Sequence, residues 1–430
     1  MSAPVRGLMV AAPQSGSGKT VVTLALARAL ARRGLDIRAA KAGPDFIDPG
    51  FHALACGHPC VNLDPWAMAP ARLRALAGGQ GGSHLMVEAM MGLFDGAADG
   101  SGSAADLAVI LDIPAVLVVD VARQGQSVAA LVRGFRDHRP ELVMAGVILN
   151  RVGSDRHAAM LRRALAGIGV AVLGVIGRDD GLALPQRHLG LVQAEELPEL
   201  EAFIATAAER VAAAIDLDRL CALFAPMRTA DPAPRMPPPG QRIAIASDAA
   251  FSFLYPHLVA DWRVAGAEIA FFSPLADEGP SPQADAVLLP GGYPELHGGR
   301  LAAAAGFHDR LRRAAASGAL VYGECGGFMV LGEGIEDADG RRHAMAGLLK
   351  LETSFARRHL HLGYRRLEAG QGFAFGRCLT AHEFHYSTAL REEGETLFAV
   401  RDALGADLGR TGLRRGNVMG SYMHVIDAAP

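Results

Sequence analysis

Two short stretches of this chain carry residue types that do chemistry at their spacing. The first is Ala12-Pro-Gln-Ser-Gly-Ser-Gly-Lys-Thr20, which follows the apolar run Gly7-Leu-Met-Val10 and opens a segment of helical period from Val21 to Ala31. A glycine-rich turn between a strand and a helix lets backbone amides cradle phosphate at the helix N-terminus. Gly16, Ser17 and Gly18 supply the close approach, Lys19 a charge for the β and γ phosphates, and Thr20 a hydroxyl for magnesium. The strict pattern asks for glycine where this chain has Pro13, yet the loop still reads as a nucleotide site. The second stretch is Ala319-Leu-Val-Tyr-Gly-Glu-Cys-Gly-Gly-Phe-Met-Val-Leu331, an apolar strand, a Gly-x-Cys-x-Gly turn and an apolar helix. Small residues at Gly323 and Gly327 allow a sharp turn that holds the Cys325 sulfur at a helix N-terminus, where a thiolate nucleophile is favoured.

Each chemistry needs partners. A hard cation bridging phosphates takes carboxylate oxygens. Asp45 and Asp48 lie in the turn-rich Lys41-Ala-Gly-Pro-Asp-Phe-Ile-Asp-Pro-Gly-Phe-His52, and Glu88 and Asp95 in Val87-Glu-Ala-Met-Met-Gly-Leu-Phe-Asp-Gly96. Any one of these acids fits a solvated turn or helix cap; the four together beside a phosphate loop favour a site. Acyl transfer at Cys325 needs donors for an oxyanion, and Leu288-Leu-Pro-Gly-Gly-Tyr-Pro-Glu295 suggests the amides of Gly292 and Gly326. It also needs a base, which Gly420-Ser-Tyr-Met-His-Val-Ile-Asp427 offers as His424. His382 and His385 are not at zinc-protease spacing and read as substrate-contacting or structural rather than a metal pair. Cys56 and Cys60 lack the second ligand pair of a zinc knuckle and read as structural.

The elements that must position these groups fall into two blocks. Single cores stop growing at roughly 250 to 300 residues, so 430 residues imply two domains. The break is expected at residues 231–240, Asp-Pro-Ala-Pro-Arg-Met-Pro-Pro-Pro-Gly, where proline removes amide donors and fixes an extended backbone. Short β-branched runs alternate with helical segments on both sides, at 1–230 and 241–430, which is the pattern of an α/β protein with mostly parallel sheets. With 42 Lys and Arg against 45 Asp and Glu, charge gives no reason to expect nucleic acid or an anionic membrane as partner. Five scattered cysteines argue against a disulfide framework, and the amino-terminal run leads into the phosphate loop without a cleavage site, so a cytoplasmic protein is expected.

The motifs Pro-Gln-Ser-Gly-Ser-Gly-Lys-Thr, Lys-Ala-Gly-Pro-Asp-Phe-Ile-Asp-Pro, Glu-Ala-Met-Met-Gly-Leu-Phe-Asp-Gly and Leu184-Pro-Gln-Arg-His-Leu-Gly-Leu191 together resemble the cobyrinic and hydrogenobyrinic acid a,c-diamide synthases of cobalamin biosynthesis. The first half is also similar to dethiobiotin synthetase. The segments around Gly292, Cys325 and His424 resemble, in that order, the class I glutamine amidotransferases.

The resemblance implies ATP, Mg2+ and L-glutamine as reactants or cofactors and a corrin-ring carboxylate as substrate. Lys19 would bind phosphate, Thr20, Asp45 and Glu88 would neighbour the magnesium, Asp48 and Asp95 would position the carboxylate, and Asn150 would lie where adenine is recognised. Cys325 and His424 would act as a dyad, because Ile426 stands where other amidotransferases of the class carry an acid; the corrin-amidating branch lacks it too. A homodimer is the base-rate expectation. Two rivals stay open: a cobyric acid synthase that amidates other corrin side chains, and a non-catalytic nucleotide or glutamine sensor.

Overall fold

The computed structural model describes residues 4–182, 199–230 and 233–429. The Leu184–Leu191 segment of the resemblance lies outside the described residues. The chain divides into two compact units, Met1–Ala233 and Pro234–Pro430, and the division falls within the proline-rich stretch.

In the first unit, β1 (Arg6–Ala11), β2 (Ile37–Ala42), β3 (Val61–Leu63), β4 (His84–Glu88), β5 (Ala115–Asp120), β6 (Met144–Val152) and β7 (Val172–Gly177) form a sheet in the order β3-β2-β4-β1-β5-β6-β7. All of these pairs are parallel, and a short β8 (Ala225–Pro226) adds to β1 antiparallel. Helices cover both faces, so the central strands read as continuous apolar runs: Leu8 to Ala12 are fully buried. Helix α1 (Lys19–Arg32) buries Leu24, Leu26 and Leu30 and packs against the Leu200–Ala214 helix. Each such leucine contributes about 1.5–3 kcal/mol, enough to hold the first turn of α1 at the end of β1. Because β2 and β5 lie on opposite sides of β1, a crevice opens beyond the carboxyl ends of the strands. The phosphate loop and both acidic turns leave from that edge.

The second unit has β9 (Arg242–Ala246), β10 (Glu268–Phe272), β11 (Ala286–Leu289), β12 (Leu320–Glu324), β13 (Gly334–Glu336), β14 (Arg342–Ala344), β15 (Lys350–Ser354), β16 (His361–Ala369), β17 (Cys378–His385), β18 (Thr388–Glu393), β19 (Glu395–Asp402), β20 (Asp407–Arg415), β21 (Val418–Ser421) and β22 (Met423–Ala428). The larger sheet runs β10-β9-β11-β12-β21-β20-β19-β16-β17-β22, and β14-β13-β15-β18 form a small second one. Along this order pairing is parallel from β10 to β21 and antiparallel from β21 to β22. The expected mostly parallel sheet therefore holds for half of this unit. The reason is connection length: a parallel pair needs a crossover of a dozen or more residues, whereas residues 403–406 alone join β19 to β20 and Gly416–Asn417 join β20 to β21. Since β11, β12 and β21 are parallel, the segments that follow them leave from one edge. Among the described residues, no helix is long and apolar enough to cross a membrane.

Candidate active sites

The phosphate loop of the first unit depends on two left-handed glycines, Gly16 at φ 79° and Gly18 at φ 84°. At Gly18 a Cβ would come within 2.3 Å of the Asn150 Nδ2. Asn150 donates that amide to the Ser17 carbonyl at 2.9 Å, which braces the loop, and accepts the amide of its neighbour Arg151 at 3.0 Å. Ser17 is buried and closes the turn by donating to the Gln14 carbonyl.

Glu88, fully buried at the end of β4, is the hub beneath the loop. Its Oε1 accepts from Lys19 Nζ and from Thr20 Oγ1, both at 2.7 Å, and lies 3.2 Å from Lys41 Nζ; its Oε2 meets His52 Nε2. Burial alone disfavours the Glu88 carboxylate, but Lys19, Lys41 and His52 outweigh it and hold its pKa well below the usual range. Lys41, also buried, loses by desolvation and gains more from Glu88, Asp48 and Asp45, so it stays charged. It is paired directly with Asp48 and sits 3.8 Å from Asp45. Burial and the neighbouring Asp45 push Asp48 up to about 6. Asp45 shapes its own turn by accepting the amides of Ile47 and Asp48.

A cavity of about 840 Å3 opens above this cluster, lined by Gly16, Lys19, Thr20, Lys41, Asp45 and Asp48 among others, with Asn150 on its wall. That volume suits a nucleotide with part of a second substrate. Asp95 is not brought into it; its carboxylate accepts the Gly92 amide at 2.8 Å within its own turn. Lys41 and His52 join the cluster without having been singled out as site residues. The signal for Lys41 was a charged residue inside an apolar strand, Ile37-Arg-Ala-Ala-Lys-Ala42, which must find acids to be buried.

In the second unit Cys325 occupies a strained turn, at φ 46° and ψ −108°, between β12 and the Gly326–Leu331 helix. The strain is held by close crossings that only glycine permits: a Cβ on Gly327 would fall 1.9 Å from the Leu289 carbonyl oxygen, and one on Gly323 would fall 2.7 Å from Gly327. The Cys325 amide donates to the Ser421 carbonyl at 2.8 Å. A Cβ on Gly326 would stand 3.1 Å from the Gly292 nitrogen, which places the two expected oxyanion donors side by side. Gly291, missed from sequence, lies against both the nucleophile and the base. A Cβ there would lie 2.3 Å from His424 Cε1 and 3.3 Å from Cys325 Cβ.

The favoured thiolate is a correction. Burial pushes the Cys325 thiol up, with the nearby Glu295 adding to it, and the Gly326 amide only partly compensates. The helix that follows spans only Gly326–Leu331, too little to outweigh desolvation. Burial likewise lowers His424 to about 3, with His382 and His385 contributing. The dyad thus rests as neutral thiol and neutral imidazole. Ile426 is buried where an acid was looked for, and its carbonyl is taken by His257 at 2.8 Å. His382 lies opposite His424 in the β17–β22 ladder, while His385 falls on the other face of β17. Cys56 and Cys60 are buried free thiols.

Residues 8–192 match the CobQ/CobB/MinD/ParA nucleotide binding domain, and residues 242–429 match the CobB/CobQ-like glutamine amidotransferase domain. Similar full-length proteins are the hydrogenobyrinate a,c-diamide synthases of Sinorhizobium sp, 60% identical over 98% of this chain and 99% of that one, and of Rhizobium meliloti strain 1021, 59% identical over the same shares. That of Rhodobacter capsulatus is 52% identical over 99% of this chain and 100% of its own.

Proposed function

The chain belongs to the hydrogenobyrinate a,c-diamide synthase family, and on that premise we propose how its own residues amidate the a and c acetate side chains of hydrogenobyrinic acid with glutamine nitrogen and ATP. The observation that carries the reading is the pair of separate reaction centres in one chain: a phosphate loop over the Lys19–Glu88–Lys41 cluster, and a strained cysteine and a histidine against one glycine. The relatives' name favours the metal-free ring over the cobalt-containing one, and it disfavours the cobyric acid synthase rival.

In the amidotransferase domain, placed at residues 241–430 within the second unit, Cys325 gives its proton to His424 as glutamine enters, and its sulfur attacks the side-chain amide carbon. The amides of Gly292 and Gly326 receive the oxyanion. His424 then protonates the departing ammonia, and water hydrolyses the glutamyl thioester to glutamate. Burial of both groups opposes this proton transfer, so the thiolate forms only together with its attack on the amide, whose oxyanion the two backbone donors receive.

In the ATP-binding domain, placed at residues 1–230 within the first unit, a carboxylate of the ring attacks the γ phosphate of ATP, giving an acyl phosphate and ADP; ammonia then displaces phosphate and leaves the amide. Gly16, Ser17 and Gly18 present loop amides to the phosphates, and Lys19 turns from Glu88 towards the transferring group. Thr20 and Asp45 line the cavity and Glu88 lies beneath them, so these oxygens would hold Mg2+ once Lys19 has turned from Glu88 to the phosphates, and the ion would neutralise phosphate charge. Asp48, through Lys41, orders the ground on which the ring carboxylate lands. Asn150, which braces the loop through the Ser17 carbonyl, also lines the cavity, where it would meet the adenine. The free thiols fit a cytoplasmic setting.

Replacing Cys325 with Ser tests the division of labour. Amide formation counted by product mass falls to background with glutamine and persists with added ammonium salt. Survival of glutamine-dependent synthesis would remove Cys325 from the chemistry, and loss of both activities in a folded variant would refute the two-centre scheme.

A further inference from the structure

Strands β16 and β17 carry a cluster that the amidation scheme leaves unused. His361 stands directly opposite His385 in their register, and Glu383 is two residues from His385 on the same face. One ligand atom from each of the three lies within 4.8 Å of the others. His385 Nε2 is already 3.3 Å from Glu383 Oε1, which matches the edge of about 3.4 Å in a tetrahedron with metal bonds of about 2.1 Å. The two imidazoles stack with centroids 4.5 Å apart and planes 10° apart, so a rotation of the half-buried His361 side chain brings in the third ligand.

The surroundings are those that metal ligands use. A buried hydroxyl, Ser387 Oγ, lies 3.0 Å from His385 Nδ1; when a cation replaces the proton that Nε2 shares with Glu383, this hydroxyl would accept the ring proton at Nδ1. Arg365 donates Nε to Glu383 Oε2 at 2.8 Å and a terminal nitrogen to the same oxygen at 2.7 Å, turning Oε1 towards His385. The guanidinium also tells against magnesium and calcium, which need several anionic oxygens. Two imidazoles and one carboxylate already balanced by arginine suit a borderline cation that nitrogen binds strongly.

We propose that His361, Glu383 and His385 form a divalent transition-metal site of the zinc class in the amidotransferase unit. The site abuts the nucleophile: Phe384, between two of the ligands, holds its carbonyl 3.8 Å from Cys325 Sγ, and His385 stacks on Tyr422 with ring centroids 4.3 Å apart. A bound metal ties the strand that forms this wall of the thiol site.

The test is metal uptake by the full chain, stripped with chelator and then dialysed against zinc or cobalt with saturating MgATP to cover the phosphate-loop acids. Wild type takes up one equivalent more than His361→Ala and Glu383→Gln, and bound cobalt shows ligand-field bands without thiolate charge transfer. Each variant weakens binding at least tenfold while keeping the wild-type circular dichroism. Equal uptake by all three proteins overturns the site, as does a cobalt spectrum dominated by thiolate. No turnover is involved, so the outcome stands apart from whether the amidation scheme holds.

Discussion

Gly291 does for the dyad what a third catalytic residue does in other nucleophilic sites: it fixes where the imidazole sits, here by leaving room for it. Gly291→Ala puts a methyl 2.3 Å from His424 Cε1 and 3.3 Å from Cys325 Cβ, and a buried ring has no free space to yield into. Glutaminase activity drops by about two orders of magnitude or more, while synthesis from ammonium salt is unchanged; equal losses in the two assays would contradict this. Next to the nucleophile, Glu324 is buried and accepts the Val425 amide at 3.2 Å, which joins β12 to the strand carrying His424. Burial raises its pKa from 4.5 to about 8. The folded state therefore holds this proton more tightly than the unfolded chain, so the stability it contributes is complete below the ordinary carboxylate range and is lost as pH rises towards 8. Glu324→Gln keeps an acceptor for Val425 without that ionisation. Its melting temperature should rise relative to wild type between about pH 5 and about pH 9, and a gap independent of pH would show that Glu324 is not buried as an acid.

The start of α1 shows how an element can be more demanding than its motif. Gly16 and Gly18 both adopt left-handed backbone, yet nothing lies within 4 Å of a Cβ at Gly16, whereas one at Gly18 would strike the Asn150 amide that holds Ser17. Gly16→Ala costs the conformational penalty alone, about 1 kcal/mol, and Gly18→Ala costs that plus the brace, about 1 kcal/mol more. Nucleotide-free unfolding in denaturant should separate the two variants in that order, and the reverse order would mean that Asn150 does not brace the loop. The loop and the cysteine elbow were legible in the sequence because their chemistry is local: glycine, lysine or cysteine at fixed spacing between an apolar strand and a helix. What escaped depends on register between distant strands. Lys41 and His52 reach Glu88 only once β2 pairs with β4, Gly291 comes against Cys325 and His424 only once β11, β12 and β21 align, and His361 meets His385 only in the β16–β17 ladder. The antiparallel half of the second sheet escaped for a related reason, since its strands resemble the parallel ones in composition and differ in the shortness of the turns that join them. Asp95 went the other way, a carboxylate in a suggestive motif whose hydrogen bond stays within its own turn.

At the scale of the whole chain, two units with separate apolar cores carry two half-reactions linked by a volatile, neutral intermediate. Ammonia lost to solvent would become ammonium and cease to be a nucleophile, and an acyl phosphate left waiting would hydrolyse, so passage of nitrogen within the chain is the advantage that fusing both activities offers. Complementation measures this directly. Cys325→Ser lacks the glutaminase step but keeps the ligase, and Lys19→Met keeps the glutaminase step but has lost the charge that meets the γ phosphate. Mixed in equal amounts with glutamine, ATP and hydrogenobyrinic acid, and with an enzyme present that consumes free ammonia, the pair should form no amide above the Cys325→Ser background, while wild type under the same scavenging retains most of its rate. Restoration of synthesis in the mixture would show that nitrogen travels through bulk solvent. An equal collapse of the wild-type rate under scavenging would show the same, and the covalent fusion would then serve co-expression of the two activities rather than transfer between them.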